Sequence, residues 1–236
     1  MRAHAFVSRI ADGKETATRA LAEELSSNRV DEMYDMRHRF GIAREVLYLE
    51  QVPDRTSLYI LYQEGENVDK TFERLVASDH PFDQWLVGKL SDIHGLSRDL
   101  LAPPASRLIL DTWNFGLTDD VDLFAVPIAP GQLEGWLRFT SSLNGTRRQE
   151  YEESRRRIGY GERVFLQQTP SADMVIACVR GSEPDRDIEK LSGSTQPFEQ
   201  WFTAEISKYH AVDFAKPVPW TSERLIDWKV AAPIAG

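Results

Sequence analysis

A tyrosine and a histidine four residues apart are the first side chains in this chain that could carry out a reaction. Tyr34 and His38 share one face of a predicted helix, and Arg37 lies beside them. Histidine titrates near neutral pH, so the pair could remove a proton from an acidic phenol or enol. The alternative is an exposed polar helix face. We name Tyr34, Arg37 and His38 as candidate catalytic residues.

Other aromatic and arginine side chains lie on or near predicted strands, where they could line a cavity for a small molecule. Tyrosines would contact an aromatic ring, and arginines such as Arg163 and Arg180 could hold an anionic group of the substrate. The candidate substrate-binding residues are Arg44, Tyr48, Tyr59, Tyr62, Trp85, Arg155 and Arg163.

Two histidines, His94 and His210, stand at the ends of two similar predicted helices. An imidazole at a helix end can hydrogen-bond the carbonyls of the last turn. The alternatives are a haem or metal ligand, or a general base. The chain has no phosphate-binding glycine loop, no H-E-x-x-H, no paired C-x-x-C and no G-x-S-x-G motif. We therefore expect no cofactor, with haem as the alternative.

An internal duplication organises the chain. Residues 80–85 (HPFDQW) return at 196–201 (QPFEQW), and each copy opens a predicted helix that closes on His94 or His210. In both copies proline occupies the first turn, where its missing N–H does no harm. Such a repeat indicates that one ancestral unit was copied.

Each repeat has the predicted element order β-α-β-β-α-β, which is that of a ferredoxin-like α+β fold with both helices on one face of an antiparallel sheet. The repeats span 1–113 and 122–236, and 114–121 is the predicted linker. The predicted strands are 5–10, 45–51, 58–62 and 107–111 in the first repeat, and 123–128, 162–168, 174–179 and 224–227 in the second.

A sheet with helices on one side only leaves its other face exposed to water, which costs about 25 cal/mol per Å² of apolar surface. Packing the two sheets face to face removes that cost. With this arrangement the chain resembles a tandem-fused member of the dimeric α/β barrel superfamily. The pattern S-x-x-P-F-[DE]-x-W, followed by I-x-x-H-G, is similar to uncharacterised bacterial members related to antibiotic-biosynthesis monooxygenases and EthD-like proteins.

The resemblance implies a small-molecule enzyme, with cofactor-independent oxygenation, cyclisation or isomerisation of an aromatic or polyketide-like substrate, as in secondary metabolism. The alternatives are a non-catalytic small-molecule-binding or stress-response protein, or a haem-binding barrel. The expected partner is a small-molecule ligand. The protein would be a monomer with pseudo-dimeric halves or a homodimer.

Composition narrows the possible partners further. The chain of 236 residues has a formal net charge of −9, shared nearly evenly between the repeats, which disfavours nucleic acid. It shows no signal-peptide pattern and no run of about 18 apolar residues. The single cysteine, Cys178, lies in an apolar run and is expected to be buried and unreactive. We predict a cytoplasmic protein that binds neither nucleic acid nor membrane.

Overall fold

The computed structural model describes residues 1–52, 56–102, 104–116, 118–181, 190–216 and 218–230. Its strands form two four-stranded antiparallel sheets accompanied by helices, which confirms the predicted α+β class. The chain divides into two compact units: unit 1 comprises Met1–Ala105 and Ser222–Gly236, and unit 2 comprises Ser106–Thr221.

In its described residues, unit 1 contains four strands and four α-helices. They are β1 (Arg2–Ile10), α1 (Glu15–Ser26), α2 (Val30–Phe40), β2 (Ile42–Gln51), β3 (Ser57–Gly65), α3 (Thr71–Ala77), α4 (Pro81–His94) and β8 (Thr221–Lys229). The predicted strands and the break between the first two helices are present. The short helix α3 was not predicted, because seven residues are too few to show a helical period.

Unit 2 repeats this plan among the residues that the structure describes. Its elements are β4 (Ser106–Asp111), β5 (Val121–Pro127), α5 (Leu133–Asn144), α6 (Arg148–Ile158), β6 (Gly161–Gln168), β7 (Asp173–Arg180) and α7 (Pro197–His210).

Each unit takes one strand from the other repeat. Sheet 1 has the order β1-β3-β2-β8, and sheet 2 has the order β4-β6-β7-β5. The expectation that each repeat builds its own sheet is therefore corrected. A strand can form the same backbone hydrogen bonds at the edge of either sheet, so its sequence does not reveal which sheet it joins. The predicted packing of the two sheets as a barrel stays a prediction.

The duplicated helix packs on the core of its own unit, as predicted from the apolar and aromatic residues that recur along one side of it. The side chains of α4 in the core of unit 1 are Phe82, Leu86, Val87, Leu90 and Ile93. Those of α7 in the core of unit 2 include Phe198, Phe202 and Tyr209. This burial explains why both copies of the helix keep an apolar face.

The two copies of this helix end differently. Gly95 follows α4 with a φ of 63°, and Ala211 follows α7 with a φ of 52°. This left-handed conformation suits glycine and strains alanine, because the alanine Cβ crowds the backbone. Along the described parts of the chain, no helix is both long enough and apolar enough to cross a membrane.

Candidate functional site

The duplicated motif holds its helix to the neighbouring helix through an ion pair. In unit 1, Arg39 of α2 donates two hydrogen bonds to the fully buried carboxylate of Asp83, at 2.9 and 2.7 Å, and Ser78 donates a third at 2.6 Å. Burial alone would raise the pKa of Asp83, but these hydrogen bonds outweigh it and hold the pKa below its usual range. In unit 2, Arg157 at the corresponding position of α6 donates a hydrogen bond to the fully buried Glu199. The motif is therefore structural.

In each unit a second buried ion pair joins a helix, α2 or α6, to the sheet of that unit. Arg37 contacts Glu45 of β2 at 2.7 Å, and its guanidinium lies 4.5 Å from the centre of the Trp228 ring. In unit 2 the fully buried Arg155 contacts Glu162 of β6 at 2.5 Å. Arg37 and Arg155 thus hold helices in place. Arg37, a candidate catalytic residue, is therefore directed to the sheet, whereas Tyr34 and His38 of the same helix are exposed.

Tyr151 in unit 2 corresponds to Met33 of unit 1, and Tyr34 corresponds to Glu152. Both α2 and α6 end at a left-handed glycine, Gly41 and Gly159, and counting back from these caps aligns the two helices. Tyr151 is buried and donates a hydrogen bond to Glu162 at 2.8 Å. Burial, followed by the charge of Glu162, raises the pKa of this tyrosine.

Tyr34 and His38 lie on the outer face of α2. Both side chains are exposed, and their ring centres are 6.4 Å apart. Tyr34 also meets the edge of the Trp228 ring at 6.1 Å. The structure therefore brings Tyr34 and His38 together at the surface, while Arg37 points into the core. Their catalytic role stays a prediction, and the surroundings of His38 lack the burial typical of a general base.

His94 and His210 donate to strands rather than to the last turn of their own helices. The Nδ1–H group of His94 donates to the carbonyl of Arg9 at 2.8 Å, and that of His210 donates to the carbonyl of Pro127 at 2.9 Å. Burial lowers the pKa of His94, and it lowers the pKa of His210 to about 4. Both rings thus tie a helix end to a strand. Their role as haem ligands stays a prediction.

Sheet 1 carries polar side chains on the face away from its helices, here called the second face. Side chains alternate along a strand, and Glu45 and Gln63 meet on the helix side at 2.8 Å. The even-numbered residues of β2 and β3 therefore point to the second face. Its polar row, as we name it, consists of five buried residues: Arg44, Tyr48, Glu50, Tyr62 and Glu64.

A short hydrogen bond lies within the polar row. The hydroxyl of Tyr62 donates to Glu64 Oε1 at 2.5 Å, and the two residues are 0% and 7% exposed. Arg44 stands directly opposite Glu64 in the strand ladder and donates to Asp227 of β8 at 3.2 Å. A buried carboxylate beside a phenol and a guanidinium can accept or return a proton while nearby charge stabilises an anion.

The strand ladders define which positions of the two sheets correspond. Glu45 and Glu162 each meet a helix arginine, and they stand opposite Gln63 and Val179 respectively. Counting from these pairs matches the polar row of sheet 1 to residues of sheet 2. Arg44 corresponds to Gly161, Tyr48 to Phe165, Glu50 to Gln167, Tyr62 to Cys178, and Glu64 to Arg180. Sheet 2 therefore has no counterpart of the Tyr62–Glu64 pair at these positions.

Of the predicted substrate-binding residues, Arg44, Tyr48 and Tyr62 come together on the second face of sheet 1. Tyr59 lies on the helix side, where burial, followed by the charge of Glu45, raises its pKa. The others lie elsewhere. Trp85 stacks on Phe82 and Arg29 at the edge of the unit 1 core, Arg155 is buried in unit 2, and Arg163 pairs with Asp111 at 3.3 Å.

Sequence reasoning missed Glu64 and Glu50. The available signal was the strand period of two, since Glu64 follows Tyr62 by two residues in the strand and the two side chains therefore point to the same face. The same period shows that Tyr59 and Tyr62, three residues apart, point to opposite faces. Within the described segments, no group of three or more His, Cys, Asp or Glu side chains is placed to hold a metal ion.

No protein-family model and no curated protein matches this chain. Two solved bacterial structures, both named as a putative monooxygenase, are similar over nearly its whole length. One, from Fusobacterium nucleatum, is 9% identical over 98% of this chain and 95% of that one, with a TM-score of 0.47. The other, from Lactobacillus acidophilus, is 12% identical over 97% of both chains, with a TM-score of 0.47. Similarity this low does not tell what the present chain does.

Proposed function

We propose that the protein is a small-molecule enzyme and that its reaction takes place at the polar row of sheet 1. The substrate would be an aromatic or polyketide-like phenol or enol. Removal of a proton is the step that oxygenation, cyclisation and isomerisation of such compounds share. The proposed chemistry is therefore proton transfer, with the further fate of the anion decided by the substrate.

The observation that carries this proposal is the buried hydrogen bond between Tyr62 and Glu64. Burying a carboxylate away from water is unfavourable unless partners stabilise it. Here Tyr62 donates a hydrogen bond to the carboxylate, and Arg44 stands opposite Glu64 in the strand ladder. Sheet 2 forms with Cys178 and Arg180 at the two matched positions, so the fold does not require the Tyr62–Glu64 pair and its presence in sheet 1 supports a role in chemistry.

The residues of the polar row have distinct proposed roles. Glu64 accepts the proton, either directly or through the hydroxyl of Tyr62. Arg44 stabilises the negative charge that develops on the substrate oxygen. Tyr48 stands opposite Ile60, two residues along the ladder from Tyr62 on the same face, and contacts the substrate ring. No metal or cofactor is needed for these steps, and the cofactor requirement itself stays a prediction.

The test is solvent-deuterium exchange into an enolisable 1,3-diketone, followed by NMR, together with turnover of a panel of polycyclic phenols in air. We expect Glu64→Gln to reduce the rate by roughly 10²–10⁴-fold, as for loss of a general base. Tyr62→Phe should give a smaller loss. Tyr59→Phe is the matched control, because it removes the same hydroxyl from the same strand on the opposite face.

Equal activity of Glu64→Gln and the wild type would exclude the proposed base. Binding of the phenols without exchange or turnover in the wild type would instead identify a non-catalytic binding protein. Absorption spectra of the purified protein test the haem alternative, because a ligated haem gives a Soret band. If His94 or His210 is the ligand, His94→Ala or His210→Ala would remove that band.

A further inference from the structure

The outer face of α2 carries an exposed ridge that differs from its counterpart in unit 2. Val30, Tyr34 and His38 follow each other at four-residue spacing, and Val30 and Tyr34 are 44% and 51% exposed. Residues at this spacing form one of the surface ridges through which helices pack together. We call these three residues the α2 ridge. Trp228 borders it, in edge contact with Tyr34.

The matched ridge of α6 is fully charged. Counting back from Gly41 and Gly159 aligns the α2 ridge with Arg148, Glu152 and Arg156. Glu152 accepts hydrogen bonds from both arginines at 2.8 Å, so this ridge satisfies its own charges in water. The same helix in the same fold therefore does not need an aromatic ridge for folding.

The charges beside the α2 ridge complement those of a second copy in reverse orientation. Asp31 and Glu32 are exposed in the first turn of α2, and His38 and Arg39 are exposed in its last turn. Two such helices crossing antiparallel about Tyr34 would place the acidic first turn of one against the basic last turn of the other. The dipoles of the two antiparallel helices would also attract each other.

We propose that the α2 ridge is the contact through which a second copy of this chain binds. The contact is isologous, with Tyr34 stacking on Tyr34 of the other copy at the two-fold axis and Val30 packing on His38. One helix pair buries less surface than a standard protein interface, so the dimer is weak and depends on protein concentration.

The experiment measures mass by sedimentation velocity across micromolar concentrations of the full chain. The test variant, Val30→Arg/Tyr34→Glu/His38→Arg, gives α2 the ridge sequence that α6 carries already. We expect the wild type to dimerise with rising concentration. The variant should bind itself about 30-fold more weakly or worse, as for loss of an aromatic anchor, with an unchanged melting temperature.

The matched control is Arg148→Ala/Glu152→Ala, which alters the corresponding ridge of unit 2 and should leave the dimer intact. A wild type that stays monomeric at every concentration would overturn the proposal, as would an α2 variant that dimerises like the wild type. Because activity is not measured, this result is independent of the reaction proposed for the polar row.

Discussion

The two units of this protein share an arrangement of strands and helices and differ in some of the side chains that these elements carry. The buried pair Arg37–Glu45 recurs as Arg155–Glu162. The arginine clamps on Asp83 and Glu199 recur as well. These repeated contacts all join a helix to its sheet or to another helix. Within a duplicated chain, features kept in both copies thus mark the parts needed to fold.

Two of the differences between the units lie on surfaces of unit 1. On the second face of sheet 1, Tyr62 and Glu64 stand where unit 2 has Cys178 and Arg180. On the α2 ridge, aromatic and apolar side chains replace a charged ladder. Unit 2 folds without the side chains that unit 1 has at these positions. Both differences therefore point to functions that unit 1 alone acquired or retained.

The largest expected effect comes from breaking the buried pair of unit 2. Arg155→Met leaves Glu162 as a buried charge and should lower the free energy of unfolding by about 3–5 kcal/mol. Arg37→Met should cost a similar amount, because each carboxylate keeps one neutral donor: Gln63 on Glu45 and Tyr151 on Glu162. Urea denaturation measures both values.

A double variant sharpens this comparison. Arg155→Met/Glu162→Leu removes both charges and should recover most of the lost stability, since a well-packed apolar pair can replace a buried ion pair. If Arg155→Met alone unfolds at the same urea concentration as the wild type, the pair does not hold α6 to sheet 2 as described.

The two helix-terminal histidines should respond differently to acid. His210 is neutral in the fold, with burial lowering its pKa to about 4, whereas an unfolded histidine titrates near 6.5. The unfolded state thus binds the proton first, and stability is complete above pH about 6.5 and falls as the pH drops towards 4. The loss is on the order of 3 kcal/mol.

His210→Asn keeps a donor for the Pro127 carbonyl but cannot titrate, so its stability should decline less over this pH range. His94→Asn is the matched comparison. Burial also lowers the pKa of His94, but this ring is more exposed, so its removal should change the pH dependence less. The free energy of unfolding is measured for each protein from neutral pH to about pH 4. If the wild type and His210→Asn lose stability in parallel over this range, the proposed titration of His210 is contradicted.

The smallest effect concerns the two helix ends. Ala211→Gly should raise the free energy of unfolding by about 0.5–1 kcal/mol, because glycine adopts the left-handed conformation without strain. Gly95→Ala should lower it by a similar amount. Thermal melts of the two variants should therefore shift in opposite directions, and a destabilised Ala211→Gly would refute the strain at this position.

Much of the fold follows from local sequence. Pro81 and Pro197 mark the starts of α4 and α7, and their apolar stripes predict the faces that pack on the sheets. The strand that each sheet receives from the other repeat could not be predicted, because pairing at a sheet edge uses backbone groups that all residues share.

The candidate site was predicted only in part. Arg44, Tyr48 and Tyr62 were named, but grouping Tyr59 with them ignored the alternation of side chains along a strand. Arg37 was grouped with Tyr34 and His38 from helical spacing. Only the tertiary contact with Glu45 reveals that its guanidinium points inward. The first error was avoidable from the strand period alone, whereas the second depended on a contact between α2 and β2.

The most direct test of the site is to observe which tyrosines meet a ligand. The chain has seven tyrosines, which can be replaced by 3-fluorotyrosine and assigned by single Tyr→Phe variants. When a polycyclic phenol is added, ¹⁹F NMR should show shifts of the Tyr48 and Tyr62 signals and none of the Tyr59 signal. Shifts confined to Tyr34 or Tyr59, or no shift with any phenol of the panel, would contradict a site at the polar row of sheet 1.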